Sequence, residues 1–160
     1  MKAKLLPILM LLFGLISCND EDFSPEAKIQ GTFELVLSVI NQSTDEIEFD
    51  FYNTYELRSD GTFYREDVTR NVGSDEVLGF RTYGDGTYTI SDEIVTFQYE
   101  NFYSMQIEDI PYLPKDQLTF SESGKNSDQY RVLNNYTQLE YICPSNALCS
   151  SIIPPYTKID

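Results

Sequence analysis

Apolar residues recur at every second position along this chain, and that period decides what it can fold into. Phe33, Leu35, Leu37 and Val39 alternate with Thr32, Glu34, Val36 and Ser38, and Ile47, Phe49 and Phe51 alternate with Glu46, Glu48 and Asp50. Successive side chains of a strand point to opposite faces, so the pattern gives one buried face and one wet face. A helix would scatter the same residues around its circumference. Beyond residue 17 no segment carries a helical period over ten or more residues. No internal repeat is visible either.

The runs are punctuated by turn chemistry. Asn41 to Asp45 is polar, and Ser59-Asp60-Gly61-Thr62 separates Tyr55–Arg58 from Phe63–Thr69. Asp-Gly suits a hairpin because glycine accepts the positive φ such turns require. Gly84-Asp85-Gly86 is predicted to turn between Val77–Tyr83 and Thr87–Ile90. Ser91-Asp92-Glu93 turns into Ile94–Tyr99, and Asn134-Asn135 separates Tyr130–Leu133 from Gln138–Ile142. Asn101 to Lys115 reads as a strand fragment followed by a long loop, because Pro111 and Pro114 cannot donate to a ladder. The tail, ending in Tyr156-Thr157-Lys158-Ile159-Asp160, is predicted to close as an edge strand. About eight to ten short strands joined by polar turns imply an all-β, antiparallel barrel or a β-sandwich.

The amino terminus carries a different signal. Lys2 and Lys4 precede an apolar run from Leu5 to Ile16. At about 1.5 Å per residue that run is too short for the roughly 30 Å hydrocarbon core, so it reads as a signal segment. Leu15-Ile16-Ser17-Cys18 resembles the lipobox of bacterial lipoproteins. The resemblance implies cleavage before Cys18 and attachment of acyl chains, palmitate among them, to that residue. Several chains anchor stably where one holds only marginally. Asn19-Asp20-Glu21-Asp22 resembles the surface-export signal of Bacteroidota lipoproteins. The expected organisation is a signal peptide over 1–17, a lipidated acidic tether over 18–28 and one domain over 29–160. The expected location is the outer membrane, held by the lipid and facing the cell surface, with a periplasm-facing anchor as the alternative.

Charge narrows the partners. The chain has 11 basic and 26 acidic residues. Loss of Lys2 and Lys4 with the leader makes the balance more acidic still. Such a domain repels phosphate backbones, so nucleic acid is excluded as a partner. Twelve Tyr and ten Phe separate it from disordered acidic chains. Cys143 and Cys149 are expected to pair outside the cytoplasm, since redox dithiols sit closer in sequence and a zinc site needs four ligands.

The order of motifs resembles small lipocalin-like lipoproteins of Bacteroidota. Ile29-Gln30-Gly31-Thr32-Phe33-Glu34-Leu35 matches their opening, with Phe33 in place of a tryptophan. Tyr55 to Phe63 matches a strand and Asp-Gly-Thr turn, and Gly86-Thr87-Tyr88-Thr89-Ile90 matches a Gly-x-Tyr-x-Ile segment. Tyr130–Leu133, Gln138–Tyr141 and Tyr156–Ile159 resemble the closing strands. The resemblance covers about residues 29–160. It implies a calyx-like, up-and-down barrel, and the chain is read as binding a small apolar or amphipathic ligand inside it, with no cofactor. A solid barrel that contacts a glycan, a protein partner or an uptake complex through Arg70–Glu76 and Asn101–Lys115 is the alternative.

Candidate chemistry is sparse. Glu46, Glu48 and Asp50 share a strand face at about 6.5–7 Å spacing. That spacing approaches the carboxylate separation of inverting glycosidases and would also suit calcium, but a solvated outer face accounts for it. Tyr52, Tyr55, Tyr64, Tyr83, Tyr88 and Tyr99 either line a cavity or pack in core and rim. The chain has no histidine and no Gly-x-Ser-x-Gly, so it is read as a binding protein and not as an enzyme.

Overall fold

The computed structural model describes residues 24–106, 109–122, 127–145, 147, 149 and 153–160. The signal segment, Cys18 and most of the acidic tether lie outside them. Nine strands form one antiparallel sheet: β1 (Gly31–Ile40), β2 (Ile47–Leu57), β3 (Thr62–Arg70), β4 (Val77–Ser91), β5 (Ile94–Ser104), β6 (Thr119–Phe120), β7 (Asp128–Leu133), β8 (Gln138–Tyr141) and β9 (Tyr156–Lys158). Their order is β4-β3-β2-β1-β9-β8-β7-β5-β6, and β4 also pairs with β5. Eight strands therefore close into a ring, with β6 appended to β5. This is the lipocalin-like up-and-down barrel and not the sandwich. Closure pairs the strands on both sides toward the closed end, whereas β1 beyond Glu34 is paired on one side only.

The antiparallel order sends the connections to two ends. The short turns at 58–61, 92–93 and 134–137 share one end with the start of β1. The long connections at 41–46, 71–76, 105–127 and 142–155 share the other. We call these the closed and open ends. The closed end is capped by α1 (Pro25–Ile29), a single helical turn begun by Ser24, whose hydroxyl accepts from Ala27 N–H at 3.4 Å. Residues 25–28 of the expected tether form this turn with Ile29, which is fully buried in the core. Gly31 follows at φ +126°, where an added Cβ would lie 2.4 Å from Asp160 Oδ1. Asp160 uses that space to accept from Thr32 N–H at 2.7 Å, tying the last residue to the first strand.

Gly84-Asp85-Gly86 does not turn. β4 runs straight through it, and the pairing shifts by one residue between Asp85 and Gly86. The glycines are there because β5 comes too close for a side chain. A Cβ on Gly86 would sit 2.0 Å from the carbonyl oxygen of Gln98. Backbone cannot step aside as a side-chain end can, so Gly86→Ala is expected to destabilise the barrel by about 1–3 kcal/mol. The urea midpoint of the variant checks this, and an unchanged midpoint refutes it.

The wall has uneven height. β1 to β5 are long, whereas β7, β8 and β9 are short. β9 reaches β1 only at Phe33↔Lys158 and Glu34↔Thr157. Pro154 and Pro155 immediately precede β9 and lack the N–H groups that would extend the ladder. The described residues thus form a tall wall facing a low one, and the barrel opens over the low side.

Candidate functional site

The barrel is filled at the closed end, and among the described residues a pocket opens toward the other end. Phe33, Tyr55, Phe63 and Phe97 are fully buried. Tyr55 stacks on Phe97 at 4.6 Å between ring centroids, and Phe63 meets Phe97 edge-on at 4.8 Å. Phe33 belongs to the same buried cluster. Rings packed edge-to-face at such distances leave no room for a ligand.

Above the floor lies a polar layer centred on Arg65. Phe63, Arg65, Asp67 and Thr69 share one face of β3, so the guanidinium points inward. Its Nε and Nη2 donate to the two carboxylate oxygens of Asp67 at 3.2 and 2.8 Å. Nη1 donates to the hydroxyls of Tyr55 and Tyr99 at 2.9 and 3.0 Å. Thr82 adds a donated bond to Asp67 at 2.6 Å. Tyr99 donates to Asp128 at 3.1 Å, and Arg65 Nη1 lies 3.5 Å from the same carboxylate. Tyr55 and Tyr99 are 2.9 Å apart and Tyr55 and Tyr130 are 3.1 Å apart, oxygen to oxygen. Each phenol has one proton. Since Tyr99 commits its proton to Asp128, Tyr55 donates to Tyr99 and Tyr130 to Tyr55. The layer is a directed chain of three phenols ending on a carboxylate.

Burial opposes the charge on Arg65, but Asp67 and the surrounding oxygens outweigh it and hold the guanidinium cationic. Burial also pushes the Tyr55 and Tyr130 phenols well above their ordinary value. Tyr99 is pushed up to about 12, by burial foremost and against the pull of Arg65. All three therefore remain neutral donors at physiological pH. A raised folded-state pKa contributes stability that is complete below the unfolded value of about 10 and is lost as pH rises through the folded value. Stability to urea is accordingly expected to fall from about pH 10 upward. The native protein should also retain a set of tyrosines that do not ionise at about pH 11 until it unfolds. Tyrosinate absorbance in native and denatured samples checks both, and full ionisation of the native protein at that pH refutes them.

Over this layer the interior opens into a cavity of about 320 Å³, lined among the described residues by Arg65, Asp128, Tyr130, Tyr141, Ile153 and Tyr156. Asp128 keeps 27% of its side chain exposed here, against 8% for Asp67. Tyr130 meets Tyr141 at 5.4 Å and Tyr156 at 5.7 Å, both edge-on, so three rings form one side of the cup. Cys143 and Cys149 are joined by a disulfide with Cα atoms 6.1 Å apart, in the connection that follows Tyr141.

The structure divides the sequence candidates. Tyr55, Tyr88 and Tyr99 are buried in the interior. Tyr52, Tyr64 and Tyr83 face outward. Arg70 lies 4.3 Å over the Tyr52 ring, and Lys115 lies over Tyr64 and Tyr83 at 5.4 and 4.8 Å. The carboxylates of β2 do not act together. Glu48 accepts from Asn41 Nδ2 at 2.6 Å, while Asp50, expected to be solvated, is 7% exposed and accepts from Ser38. Among the described residues no group of three or more His, Cys, Asp or Glu is placed to hold a metal ion. Arg65, Asp67 and Asp128 were not singled out by the sequence. Arg65 and Asp67 nevertheless share the register of Phe63, a signal that two opposite charges point into the barrel together. Comparison with protein-family models, curated proteins and solved structures finds no match for this chain.

Proposed function

We propose that this chain is an outer-membrane lipoprotein, anchored through Cys18, whose lipocalin-like barrel binds a small amphipathic molecule in the cup at its open end. One observation supports the binding half of this reading: among the described residues a pocket of about 320 Å³ opens beside Arg65, with phenol, carboxylate and aromatic groups around it. A pocket lined half by tyrosines, with a few oriented polar groups, suits one small ligand. The anchor and the outward-facing location rest on Leu15-Ile16-Ser17-Cys18 and Asn19-Asp20-Glu21-Asp22.

Native mass spectrometry of the mature protein, isolated from its own membranes, tests both halves. A bound small molecule released on denaturation, together with an acyl mass on Cys18, is the expected result. A bare cup in every preparation overturns the binding reading, and an unmodified Cys18 overturns the anchor. A second reading, a surface interaction module, draws on exposed Leu37, Ile40, Ile47, Val72, Val77 and Ile110, all on strands and loops toward the open end. Apolar groups gathered around one end suit contact with a partner. A stable partner recovered by crosslinking, with the cup empty, would favour it.

A further inference from the structure

We infer that the cup selects ligands carrying a positive charge, such as a protonated amine on an aromatic or aliphatic body. This rests on reading the cup as a ligand site and names the ligand class for it. The argument begins with a charge count. The polar layer brings together one cation, Arg65, and two anions, Asp67 and Asp128. Arg65 is committed to Asp67 through two bonds and to two phenols through Nη1. Asp128 receives Tyr99 at 3.1 Å and lies 3.5 Å from Arg65, beyond good hydrogen-bond length. The layer thus leaves one negative charge over, and it resides on the carboxylate most open to the cavity.

The walls agree with this. Tyr130, Tyr141 and Tyr156 line the same space. Ring faces attract cations and do not attract anions. An anionic ligand would find at most one N–H of Arg65 outside the bonds to Asp67, Tyr55 and Tyr99, while facing Asp128 and a chain with 26 acidic residues against 11 basic ones. An ammonium group meets Asp128 directly, in a partly dry setting where charge-assisted hydrogen bonds are strongest.

The chain contains no tryptophan, so an indole probe can be followed by its own fluorescence. The test uses the mature chain with Cys18→Ser, titrated into tryptamine, indole and indole-3-propionate, which share a body and differ in charge. Tryptamine is expected to bind at least about tenfold more tightly than indole-3-propionate, as one charge-assisted contact would give. Asp128→Asn should reduce that ratio to near one, and Asp128→Glu should retain it. Equal or stronger binding of indole-3-propionate overturns the inference. So does a preference for tryptamine that persists in Asp128→Asn, because it would then come from diffuse surface charge. If Asp128→Asn does not fold, the wild-type ratio and its retention in Asp128→Glu decide. Binding of all three probes with equal affinity sinks the cation preference and leaves the cup as a ligand site. Binding of none sinks both.

Discussion

Replacing Arg65 with alanine is expected to destabilise the barrel by about 3–5 kcal/mol, among the largest effects available to a single change. The reason is what remains behind. Asp67 keeps only 8% of its side chain exposed and depends on the guanidinium for two of its bonds, with Thr82 supplying a third. Without Arg65 its charge is buried and poorly paired, and Tyr55 and Tyr99 each lose a donor. The cost therefore reflects a stranded anion more than the intrinsic worth of the ion pair. A second variant separates the two. Arg65→Met combined with Asp67→Leu removes both charges, and it should recover most of the lost stability because an apolar pair of similar volume avoids desolvation altogether. Urea midpoints of wild type, single and double variants check the scheme. A single variant as stable as wild type, or a double variant no better than the single, refutes it.

Phe97→Ala is expected to cost a similar amount, about 3–5 kcal/mol, by a different route. Phe97 is fully buried at the centre of the aromatic floor, stacked on Tyr55 and edge-on to Phe63, with Tyr130 at 5.5 Å. Truncation removes apolar area and leaves a hole that neighbours on a closed barrel cannot collapse into. The loss also undermines Tyr55 and Tyr130, whose rings hold their hydroxyls in the phenol chain above. Phe97→Leu should cost much less, since it keeps most of the volume. Thermal unfolding monitored with tyrosine ionisation at about pH 11 distinguishes this damage from simple instability, because buried phenols should become titratable before the barrel melts. A melting temperature within a few degrees of wild type would refute the assignment of Phe97 to the core.

The two changes act on layers that differ in how far they could be read from the chain. The floor was accessible, because Phe33 and Leu35, Tyr55 and Leu57, and Phe63 each obey a period of two, and many such short runs mark the inner face of an antiparallel barrel or sandwich. The turns at Asp60-Gly61, Asp92-Glu93 and Asn134-Asn135 were accessible for the same local reason. Gly61, Asp92, Glu93, Asn134 and Asn135 all adopt positive φ, which these residue types tolerate best or which a tight hairpin imposes. Gly84-Asp85-Gly86 misled because glycine serves two ends. It permits a turn, and it also permits close approach of another backbone, and only the position of β5 says which applies.

Local order thus came from properties each residue carries with it: alternation, turn preference, proline's missing donor. These are short-range, so a single chain displays them directly. The face assignments of Tyr52, Tyr64 and Tyr83, the burial of Asp50, and above all the meeting of Arg65 and Asp67 on β3 with Asp128 on β7 are of another kind. Residues 65 and 128 become neighbours because the sheet curls back on itself, with β4 paired to both β3 and β5 and β5 to β7. Whether the interior is full or hollow depends in turn on the height of each wall, and that height changes where Pro154 and Pro155 stop the last strand. The strands are written in the pattern of one chain, whereas the cup exists because distant segments share an inside.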